Sequence, residues 1–441
     1  MRKLLLIVPQ LLLIGLAWGQ VDYQTQIQTI FNANCTSCHI NGGAYQQGLD
    51  LSSYDSLMAG SNNGAVIVPG DHANSLLWQK VNSGTMPPGN NPDLGAGEIN
   101  LIAQWIDEGA LENPVYAGPL WNVSNSGSDS TGDGSADNPF ATIQYGIGAA
   151  SDGDTVVIYE GVYYEEVDAG NRELTIGSLF MFDNNNESII ENTILDGENS
   201  HRLYNLDNAQ VSLIGMTMQN GYAENWGGAI IGGSGDLTIR NCRFTENYAG
   251  NSGGVMNLNG DNLIISNSVF YNNSSARASV INVGNSTNTE RTINVSIKES
   301  VFRANTGEGR GAINVWGSDT TLINNCEFIE NISGRYGGGF IVHDTKYLEI
   351  DSCIIKDNKS LRGGGGGLNI WSIDGGIISN SIFSGNIVMD TTETDTFRGG
   401  GIHLWADATL TIRNCTITNN TAPLAGAIAI KHNSHCTIVN S

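Results

Sequence analysis

The sequence has little charge, and most of the charge that it has is of one sign. Only 15% of its 441 residues are charged, and 44 acidic residues outnumber 20 basic ones. This balance argues against a nucleic-acid-binding function, because such proteins need a basic face against the phosphates. Beyond the first 20 residues, no apolar run is long enough to cross a membrane. We therefore expect no transmembrane helix in the mature chain.

Glycine and asparagine are abundant. The chain has 56 Gly and 51 Asn, and both residue types disfavour long helices. Hydrophobic residues make up 40% of the chain, which is enough to bury a large core and does not indicate disorder. The composition is typical of a turn-rich, mostly β protein whose length allows two or three domains.

The first 19 residues have the pattern of a secretory signal peptide. A basic start at Arg2-Lys3 precedes an apolar run that ends in the small-x-small site Ala17-Trp18-Gly19. An uncleaved membrane anchor is the alternative, but Pro9 interrupts the run, which is shorter than the ~20 residues that span a bilayer. We therefore predict an exported protein in the periplasm, on the cell surface or outside the cell.

Residues 20–112 form the one region with helical periodicity. Apolar residues recur at helical spacing in 27–31, directly before a cysteine pair, and again in 99–106. The region has nine acidic residues and one basic residue, Lys80. Residues 113–119 contain two prolines and a glycine and are interpreted as a linker.

Cys35-Thr36-Ser37-Cys38-His39 matches C-x-x-C-H, the attachment pattern of c-type haem. Two thiols add to the two vinyl groups, and the adjacent histidine is delivered to the iron. A redox C-x-x-C pair is one alternative, but the thioredoxin-like βαβ context is missing. A structural zinc site would need two further ligands, and His72 is the only other local candidate. The motif predicts one covalent haem c, with Cys35 and Cys38 as attachments and His39 as proximal ligand.

The sixth iron ligand is predicted to be Met86. The segment Thr85–Gly89 lies where a small cytochrome c places its distal methionine loop. Met58 and His72 remain alternatives, and either would make a differently ligated or open iron. A His/Met pair stabilises Fe(II) and suits electron transfer, whereas an open site would permit small-molecule binding or peroxidase-like chemistry. Trp78 and Trp105 either pack on the haem or belong to the core.

Residues 27–110 resemble the cytochrome c domain of planctomycete-type proteins. Six segments in order carry the likeness: Phe31–Cys35, Gly48–Ser52, Val68–Asp71, Ser75–Leu77, Met86–Pro88 and Trp105–Ala110. The resemblance implies a small all-α haem domain over residues 20–112. It assigns the thioether attachments to Cys35 and Cys38, the proximal ligand to His39 and the distal ligand to Met86.

The sequence from residue 120 onward contains a repeat of 26 to 34 residues. Each repeat has a small Cys or Ser, a Phe or Ile two residues later, and an Asn five residues after the small residue. The small residues are Cys242, Ser268, Ser300, Cys326, Cys353, Ser381 and Cys415, and the asparagines are Asn247, Asn273, Asn305, Asn331, Asn358, Asn386 and Asn420. This period, with short strands and no helical stretch, predicts a parallel β-helix whose coils stack about 4.8 Å apart.

Stacking places equivalent residues in line, so the repeat predicts three ladders. Phe forms an internal aromatic ladder, and Cys or Ser forms a ladder of small buried side chains. Asn forms a turn ladder that hydrogen-bonds above and below and adopts the left-handed turn conformation. We expect all five cysteines of this region, including Cys436, at the small-residue position. Cys326 and Cys353 lie one coil apart, within possible reach of a disulfide.

This region resembles secreted right-handed parallel β-helix proteins of the pectate-lyase-like group. The opening segments Gly127–Asp133, Asn138–Ile143 and Gly153–Val156 carry the likeness. The Phe-x-x-Asn and Gly227–Ile230 elements also resemble the repeats of chlamydial polymorphic outer-membrane proteins. The implied fold is a right-handed parallel β-helix (solenoid) over residues 120–441. Because the chain stops within a further apparent coil, we expect it to be truncated at the C-terminus.

No enzymatic site stands out in the repeats. There is no Asp-Asp pair and no Gly-His-Gly, and only single acids such as Glu349 and Asp351, with Lys356 and Arg362 near, suggest a calcium-dependent lyase site. Four tryptophans follow the Gly-rich stretches and would stack on sugars if exposed or belong to the core if buried. They are Trp226, Trp316, Trp371 and Trp405.

The leading interpretation is an exported one-haem cytochrome with a β-helix that binds a polysaccharide, a surface or a partner. Its acidity predicts a redox partner with a basic docking surface. One alternative is a polysaccharide lyase or hydrolase with an accessory cytochrome domain. The other is an adhesin-like surface protein.

Overall fold

The computed structural model describes residues 21, 23–40, 47–88, 92–107, 109–111, 119–259, 262–284, 293–389 and 398–441. The chain divides into two compact units, Met1–Val115 and Tyr116–Ser441. The predicted signal peptide and residues 113–118 of the predicted linker lie outside the described residues.

The first unit is helical. A π-helical turn, Tyr23–Ile27, leads into α1 (Gln28–Asn34), and α2 (Tyr54–Ala59), α3 (Leu76–Asn82) and α4 (Ala96–Asp107) follow. Ser53 caps α2, because its hydroxyl accepts a 3.2 Å hydrogen bond from the backbone N–H of Ser56. The helices predicted before Cys35 and before Gly109 are present as α1 and α4.

The core of the first unit holds its first and last helices together. The Tyr23 ring lies 5.2 Å from Trp105 on α4 and 5.1 Å from Tyr54 on α2. Phe31 and Ile102 are fully buried in the same cluster. Because these side chains come from three helices, burying them fixes α1 relative to α4 and so positions the segment that follows α1.

The described residues of the second unit form 37 strands, most of them short, and three short helical segments. The helical segments are α5 (Ile143–Ala149), a 3₁₀ turn (Leu179–Met181) and α6 (Glu187–Asn192). The strands are β1 (Leu120–Val123), β2 (Thr155–Ile158), β3 (Gly161–Tyr163), β4 (Val167–Asp168), β5 (Glu173–Ser178), β6 (Thr193–Asp196), β7 (Tyr204–Asn205), β8 (Gln210–Ile214), β9 (Thr217–Gln219), β10 (Tyr222–Ala223), β11 (Ile230–Gly232), β12 (Leu237–Arg240), β13 (Arg243–Thr245), β14 (Tyr248–Ala249), β15 (Met256–Leu258), β16 (Asn262–Ser266), β17 (Val269–Tyr271), β18 (Ser274–Ser275), β19 (Ile281–Gly284), β20 (Asn294–Lys298), β21 (Val301–Arg303), β22 (Thr306–Gly307), β23 (Ile313–Trp316), β24 (Thr320–Asn324), β25 (Glu327–Ile329), β26 (Ile332–Ser333), β27 (Phe340–Asp351), β28 (Ile354–Lys356), β29 (Lys359–Ser360), β30 (Leu368–Ser379), β31 (Ile382–Ser384), β32 (Ile387–Val388), β33 (Ile402–Trp405), β34 (Thr409–Arg413), β35 (Thr416–Thr418), β36 (Ile428–Ile430) and β37 (His435–Val439).

These strands form three parallel sheets. Sheet 1 has 20 strands, sheet 2 has ten and sheet 3 has seven. In a representative coil, β11 and β12 belong to sheet 1, β13 to sheet 2 and the two-residue β14 to sheet 3. Each strand pairs in parallel with its equivalent in the next coil, as β13 does with β17 and β14 with β18. The prediction of a parallel β-helix is therefore confirmed.

The predicted aromatic ladder is confirmed on sheet 2. Phe244, Phe270, Phe302 and Phe328 are in register on consecutive coils, with ring centroids 4.9, 4.7 and 4.8 Å apart and nearly parallel planes. All four side chains are buried. The two-residue offset after the small residue turns each ring inward, so the repeat builds one continuous apolar core.

The asparagine ladder forms the predicted hydrogen bonds, but its predicted conformation is wrong. From Asn247 to Asn420, each side-chain N–H donates to the Oδ1 of the next asparagine at 2.8–3.0 Å. The left-handed backbone conformation falls one residue earlier, at Glu246 (φ 57°), Ala304 (φ 54°) and their equivalents. The side chain of the ladder asparagine lies under the bend. There its amide forms hydrogen bonds with backbone groups of the adjacent coils.

The small-residue ladder explains why Cys and Ser interchange. The backbone N–H of Cys242 donates to Ser268 Oγ at 3.1 Å, and that of Cys326 donates to Cys353 Sγ at 3.5 Å. A serine hydroxyl and a cysteine thiol can each donate and accept a hydrogen bond, and the thiol does so more weakly. All of the cysteines are free thiols, so Cys326 and Cys353 form no disulfide.

Cys436 does not belong to this ladder, and its predicted position is wrong. In the pairing of β34 with β37, Cys436 lies opposite Leu410. The backbone N–H of Cys415 donates instead to Ser441 Oγ at 2.9 Å. Ser441 therefore occupies the small-residue position of that coil.

Candidate functional site

The C-x-x-C-H segment continues the backbone turn of α1. The N–H of Cys35 donates to Phe31 O at 2.8 Å, and the N–H of His39 donates to Cys35 O at 2.9 Å. Cys38 N–H also donates to Cys35 O, at 3.1 Å. This helical turn holds the two thiols and the imidazole close together at the end of α1.

The imidazole of His39 is oriented by a backbone carbonyl. Its Nδ1 lies 3.4 Å from Leu49 O, and its own carbonyl accepts from the N–H of Leu51 at 3.0 Å. A carbonyl can only accept, so Nδ1 is the donor in this pair, and in the neutral imidazole Nε2 then keeps its lone pair. A hydrogen bond of this kind orients a metal-ligating histidine and raises the basicity of its coordinating nitrogen.

The loop that carries Met86 is anchored to the end of α3. The backbone N–H groups of Thr85 and Met86 both donate to Lys80 O, at 3.1 and 3.2 Å. Gly84 makes the turn with a φ of 65°, a conformation that favours glycine. These contacts hold the half-buried Met86 next to α3.

A cavity of about 270 Å³ brings these residues together. Cys35, Cys38, His39 and Met86 all line it. Its remaining wall is mostly apolar, with a few polar side chains and one cation, Lys80. The apolar lining residues include Phe31, Leu49, Leu51, Val66, Leu76, Leu77, Val81, Pro87 and Pro88.

The alternative ligands lie elsewhere in the first unit. Met58 packs at the edge of the helical core and is not on the cavity wall. His72 Nδ1 is 2.7 Å from an Asp107 carboxylate oxygen, and its ring lies 4.5 Å from that of Trp78. Trp105 is buried and donates from Nε1 to Leu111 O at 2.8 Å. Neither tryptophan lines the cavity, so both belong to the packing between helices.

The thiol chemistry differs from that of a redox pair. Burial, with further contributions from Glu98 and Cys38, raises the pKa of Cys35 to about 11. A reactive C-x-x-C thiol has a lowered pKa instead, because the thiolate is its nucleophile. Among the described residues, no three His, Cys, Asp or Glu side chains are grouped to hold one metal ion. The redox and zinc alternatives therefore gain no support.

The donor set fits haem c. Two cysteine thiols for the vinyl groups, an imidazole with Nε2 available and a thioether sulfur all line one largely apolar cavity. Sequence reasoning identified these four residues but missed the Leu49 carbonyl and the cation of Lys80. A backbone carbonyl carries no sequence signal, and Lys80 was recognisable only as the one basic residue of an acidic region.

The tryptophans of the β-helix divide between two environments. Trp316, His343, Trp371 and Trp405 are in register on sheet 1, where Trp371 and Trp405 stack at 5.2 Å and Trp316 lies 4.5 Å from His343. Each of these three tryptophans thus packs against a neighbouring ring, although Trp371 is still 39% exposed. Trp226 is 48% exposed and has no ring contact within the described residues. Of the four, Trp226 is the most exposed, and among the described residues it has no neighbouring ring.

The acids considered for a lyase site are used in local hydrogen bonds. An Asp351 carboxylate oxygen accepts from Asn380 Nδ2 at 2.8 Å, and Ser379 Oγ also donates to Asp351. Lys356 lies 3.7 Å from Asp357, the next residue in the chain. The Asp351 bonds join adjacent coils, and no further ligand group converges on these residues within the described part of the chain.

The comparisons with known proteins identify both parts of the chain. Residues 35–90 match the family model of planctomycete cytochrome c, and residues 227–389 and 311–441 match the right-handed β-helix region. None of the described helices is both long and apolar enough to span a bilayer.

Two solved structures and one curated protein are also similar. A rhamnogalacturonan lyase has 15% identity and a TM-score of 0.36, covering 73% of this chain and 85% of its own. The pectate lyase Pel9A has 12% identity and a TM-score of 0.33, covering 72% and 78%. The metabotropic glutamate receptor-like protein R of Dictyostelium discoideum is 28% identical over 182 residues, which are 41% of this chain and 11% of that protein. The chain thus spans only a small part of that relative.

The family matches and the described fold define a class, a cytochrome c-like domain joined to a right-handed parallel β-helix. Within that class, the first domain is similar to planctomycete cytochrome c over residues 35–90.

Proposed function

We propose that this chain is an exported c-type cytochrome that binds one covalent haem and transfers electrons. The observation that carries the proposal is the cavity shared by Cys35, Cys38, His39 and Met86. In this proposal the two cysteine Sγ atoms form the thioether bonds, and His39 Nε2 is the proximal iron ligand. Leu49 O holds His39 Nδ1 and so keeps Nε2 directed away from that carbonyl.

Met86 is the proposed distal ligand. Its thioether lines the cavity, whereas Met58 and His72 do not, and the bonds to Lys80 O hold its loop in place. When bound, haem c supplies a one-electron couple, which a His/Met pair biases toward the reduced state. The apolar side chains around Leu77 and Val81 exclude water, and a low dielectric disfavours the extra positive charge of the oxidised state.

The proposed electron-transfer partner presents a basic surface. The region 20–112 carries nine acids against one base, so a basic face on the partner would be attracted from a distance and oriented on contact. This attraction should weaken as salt is added, because dissolved ions screen charges at a protein surface. Electron-transfer rates with a basic partner should therefore fall as ionic strength rises.

The β-helix is proposed to bind a polysaccharide, a surface or a partner protein. The exposed ring of Trp226 supports a role in sugar binding, and its backbone is held rigidly, because Arg202 donates to the carbonyls of Trp226 and Gly227 at 2.9 and 2.8 Å. Loss of retention on immobilised glycans in Trp226→Ala, with retention kept in Trp316→Ala, would support this role, because Trp316 is partly buried against His343. Equal retention of both variants and the wild type would contradict it.

Covalent haem attachment is the first test. The full chain, co-expressed with cytochrome c maturation machinery, should show a reduced α-band and haem that survives denaturation. The double variant Cys35→Ala, Cys38→Ala should lose both signals, whereas Cys242→Ser, a buried thiol of the β-helix, should keep them. Wild-type protein without covalent haem would refute the proposed function.

Replacement of Met86 tests the sixth ligand. Met86→Ala should keep covalent haem but change the visible spectrum and lower the reduction potential, because a soft thioether no longer stabilises Fe(II). Met58→Ala is the matched control and should keep the wild-type spectrum. An unchanged spectrum in Met86→Ala would exclude this residue as the distal ligand.

A further inference from the structure

Lys80 is an isolated positive charge in an acidic domain. It is the one Lys or Arg among residues 20–112, which also contain nine acids. Lys80 is among the residues that line the cavity together with Cys35, His39 and Met86. Within the described part of the chain, Lys80 Nζ forms no ion pair and no hydrogen bond. The single cation of this domain therefore lies beside the proposed cofactor without an acidic partner of its own.

The proposed haem would bring negatively charged groups that could pair with Lys80. Haem carries two propionate groups, which are ionised at neutral pH. Inserting two carboxylates into a domain with eight excess negative charges is electrostatically unfavourable, and a nearby cation offsets that cost. Among the described residues that line the cavity, Lys80 is the one with a permanent positive charge.

We propose that the Lys80 ammonium group pairs with a haem propionate and raises the reduction potential of the haem. This inference rests on the proposed function, because it requires haem in the cavity. A positive charge near the iron favours the reduced state, which carries one positive charge fewer than the oxidised state. Lys80 is thus a positioning and potential-setting residue that does not bind the iron.

The side chain and the backbone of Lys80 have separable roles. The Lys80 carbonyl accepts the N–H groups of Thr85 and Met86, and every substituted residue keeps that carbonyl. Lys80 is an exposed residue and is not part of the buried core. Substituting it should therefore leave the fold and the Met86 loop in place while removing the charge.

The reduction potential of the haem-loaded full chain tests the inference. Lys80→Gln should attach haem normally and lower the ratio of reduced to oxidised protein at a given potential roughly three- to tenfold, a range set by partial solvent screening. Lys80→Glu should lower it further, and Lys80→Arg should restore the wild-type value. Asn82→Asp is the matched control, because it makes the same change in net charge on α3 from a side chain outside the cavity wall.

The outcomes separate the two proposals. A larger fall in potential for Lys80→Gln than for Asn82→Asp, with recovery in Lys80→Arg, would support the pairing. Equal potentials in Lys80→Gln and Asn82→Asp would overturn it while leaving a haem-loaded cytochrome. Absence of covalent haem from the wild-type chain would overturn the proposed function and the pairing together.

Discussion

Asn331 is representative of how the asparagine ladder satisfies a buried polar group. Its Oδ1 accepts from the backbone N–H and the side chain of Asn305, both at 3.0 Å. Its Nδ2 donates to Phe302 O at 2.8 Å and to Asn358 Oδ1 at 3.0 Å. The fully buried amide therefore makes four hydrogen bonds, and both its oxygen and its nitrogen have hydrogen-bond partners.

Asn331→Ala should strongly destabilise the β-helix. The change leaves two buried donors of Asn305 without an acceptor, and we expect the free energy of unfolding to fall by about 3 to 6 kcal/mol. Urea denaturation measures this loss. Asn225→Ala is the control, because Asn225 is exposed and makes no side-chain hydrogen bond in the described part of the chain. Equal loss in both variants would contradict the role of the ladder.

The position of the ladder asparagine was predictable from sequence, but the neighbouring conformation was not. Asn recurs five residues after the small residue because its amide must both donate and accept along the stack. The preceding left-handed position is filled by Glu246, Ala304, Asp357 and Gly385 among others. These residues share no sequence signature, since the local turn, set by coil stacking, imposes that conformation.

The cysteines and the histidine of the proposed haem site were also visible in the sequence. The spacing of Cys35, Cys38 and His39 reflects the covalent geometry of the porphyrin, which constrains the local chain directly. From the sequence, Met86 was one of three candidate distal ligands. In the folded chain Met86 lines the cavity, whereas Met58 and His72 do not. That selection depends on how α3 holds the loop, which a residue pattern does not specify.

Strand β17 shows how alternation builds the core element by element. Phe270 points inward and is fully buried between Phe244 and Phe302, whereas the next residue, Tyr271, points outward and is 48% exposed. The side chains of adjacent residues in a strand face opposite sides of the sheet. The two residues therefore form a natural pair for separating core packing from surface effects.

Phe270→Ala should destabilise the β-helix by about 3 to 5 kcal/mol, because it opens a cavity between two stacked rings. Tyr271→Ala, one residue away in the same strand, should change the stability by less than about 1 kcal/mol. Denaturant midpoints and m-values of both variants measure the difference. Similar losses in the two would indicate that sheet 2 has a different inward face.

The wrong position for Cys436 also belongs to the element scale. The final segment matches the repeat only when Cys436 is aligned with Leu410 and Ser441 with Cys415. A cysteine near the end of a repeat suggested the small-residue position, but residue type alone does not set register. The parallel pairing of β34 with β37 sets the register. A shift of one residue in this pairing would turn every apolar side chain of the strand outward.

Two buried histidines make the stability of the β-helix depend on pH. Burial lowers the pKa of His343 to about 3 and that of His403 to about 4, with nearby Arg310 and Lys431 adding to the respective shifts. In the unfolded chain both titrate near 6.5. As the pH falls below about 6.5, the unfolded chain therefore takes up protons that the folded chain does not, and the folded state loses stability.

His403→Gln should weaken this dependence. Between pH 7 and about pH 4.5 the variant should lose about 2 kcal/mol less stability than the wild type, since one proton-uptake site of the unfolded chain is gone. Urea denaturation at the two pH values measures the difference. The exposed His435→Gln is the control and should keep the wild-type slope. An unchanged slope in His403→Gln would show that this histidine protonates in the folded state.

At the scale of the whole molecule, the scarcity of basic residues has a different meaning in each part. In the first unit it makes Lys80 conspicuous and predicts a basic partner. In the β-helix, most of the turn-rich composition follows from repeated bends, such as those before Asn247 and its equivalents. The same overall acidity thus predicts a basic partner for one part and accompanies a repeated architecture in the other.

The amino-acid sequence by itself determined what depends on local covalent chemistry or on repetition. The C-x-x-C-H segment and the recurring Cys/Ser, Phe and Asn positions are of this kind, because a fixed spacing is itself the physical requirement. Tertiary structure alone decided which methionine lines the cavity, where Lys80 lies and how Cys436 is registered. These depend on contacts between segments distant in the chain, and such contacts are determined by packing of the whole fold.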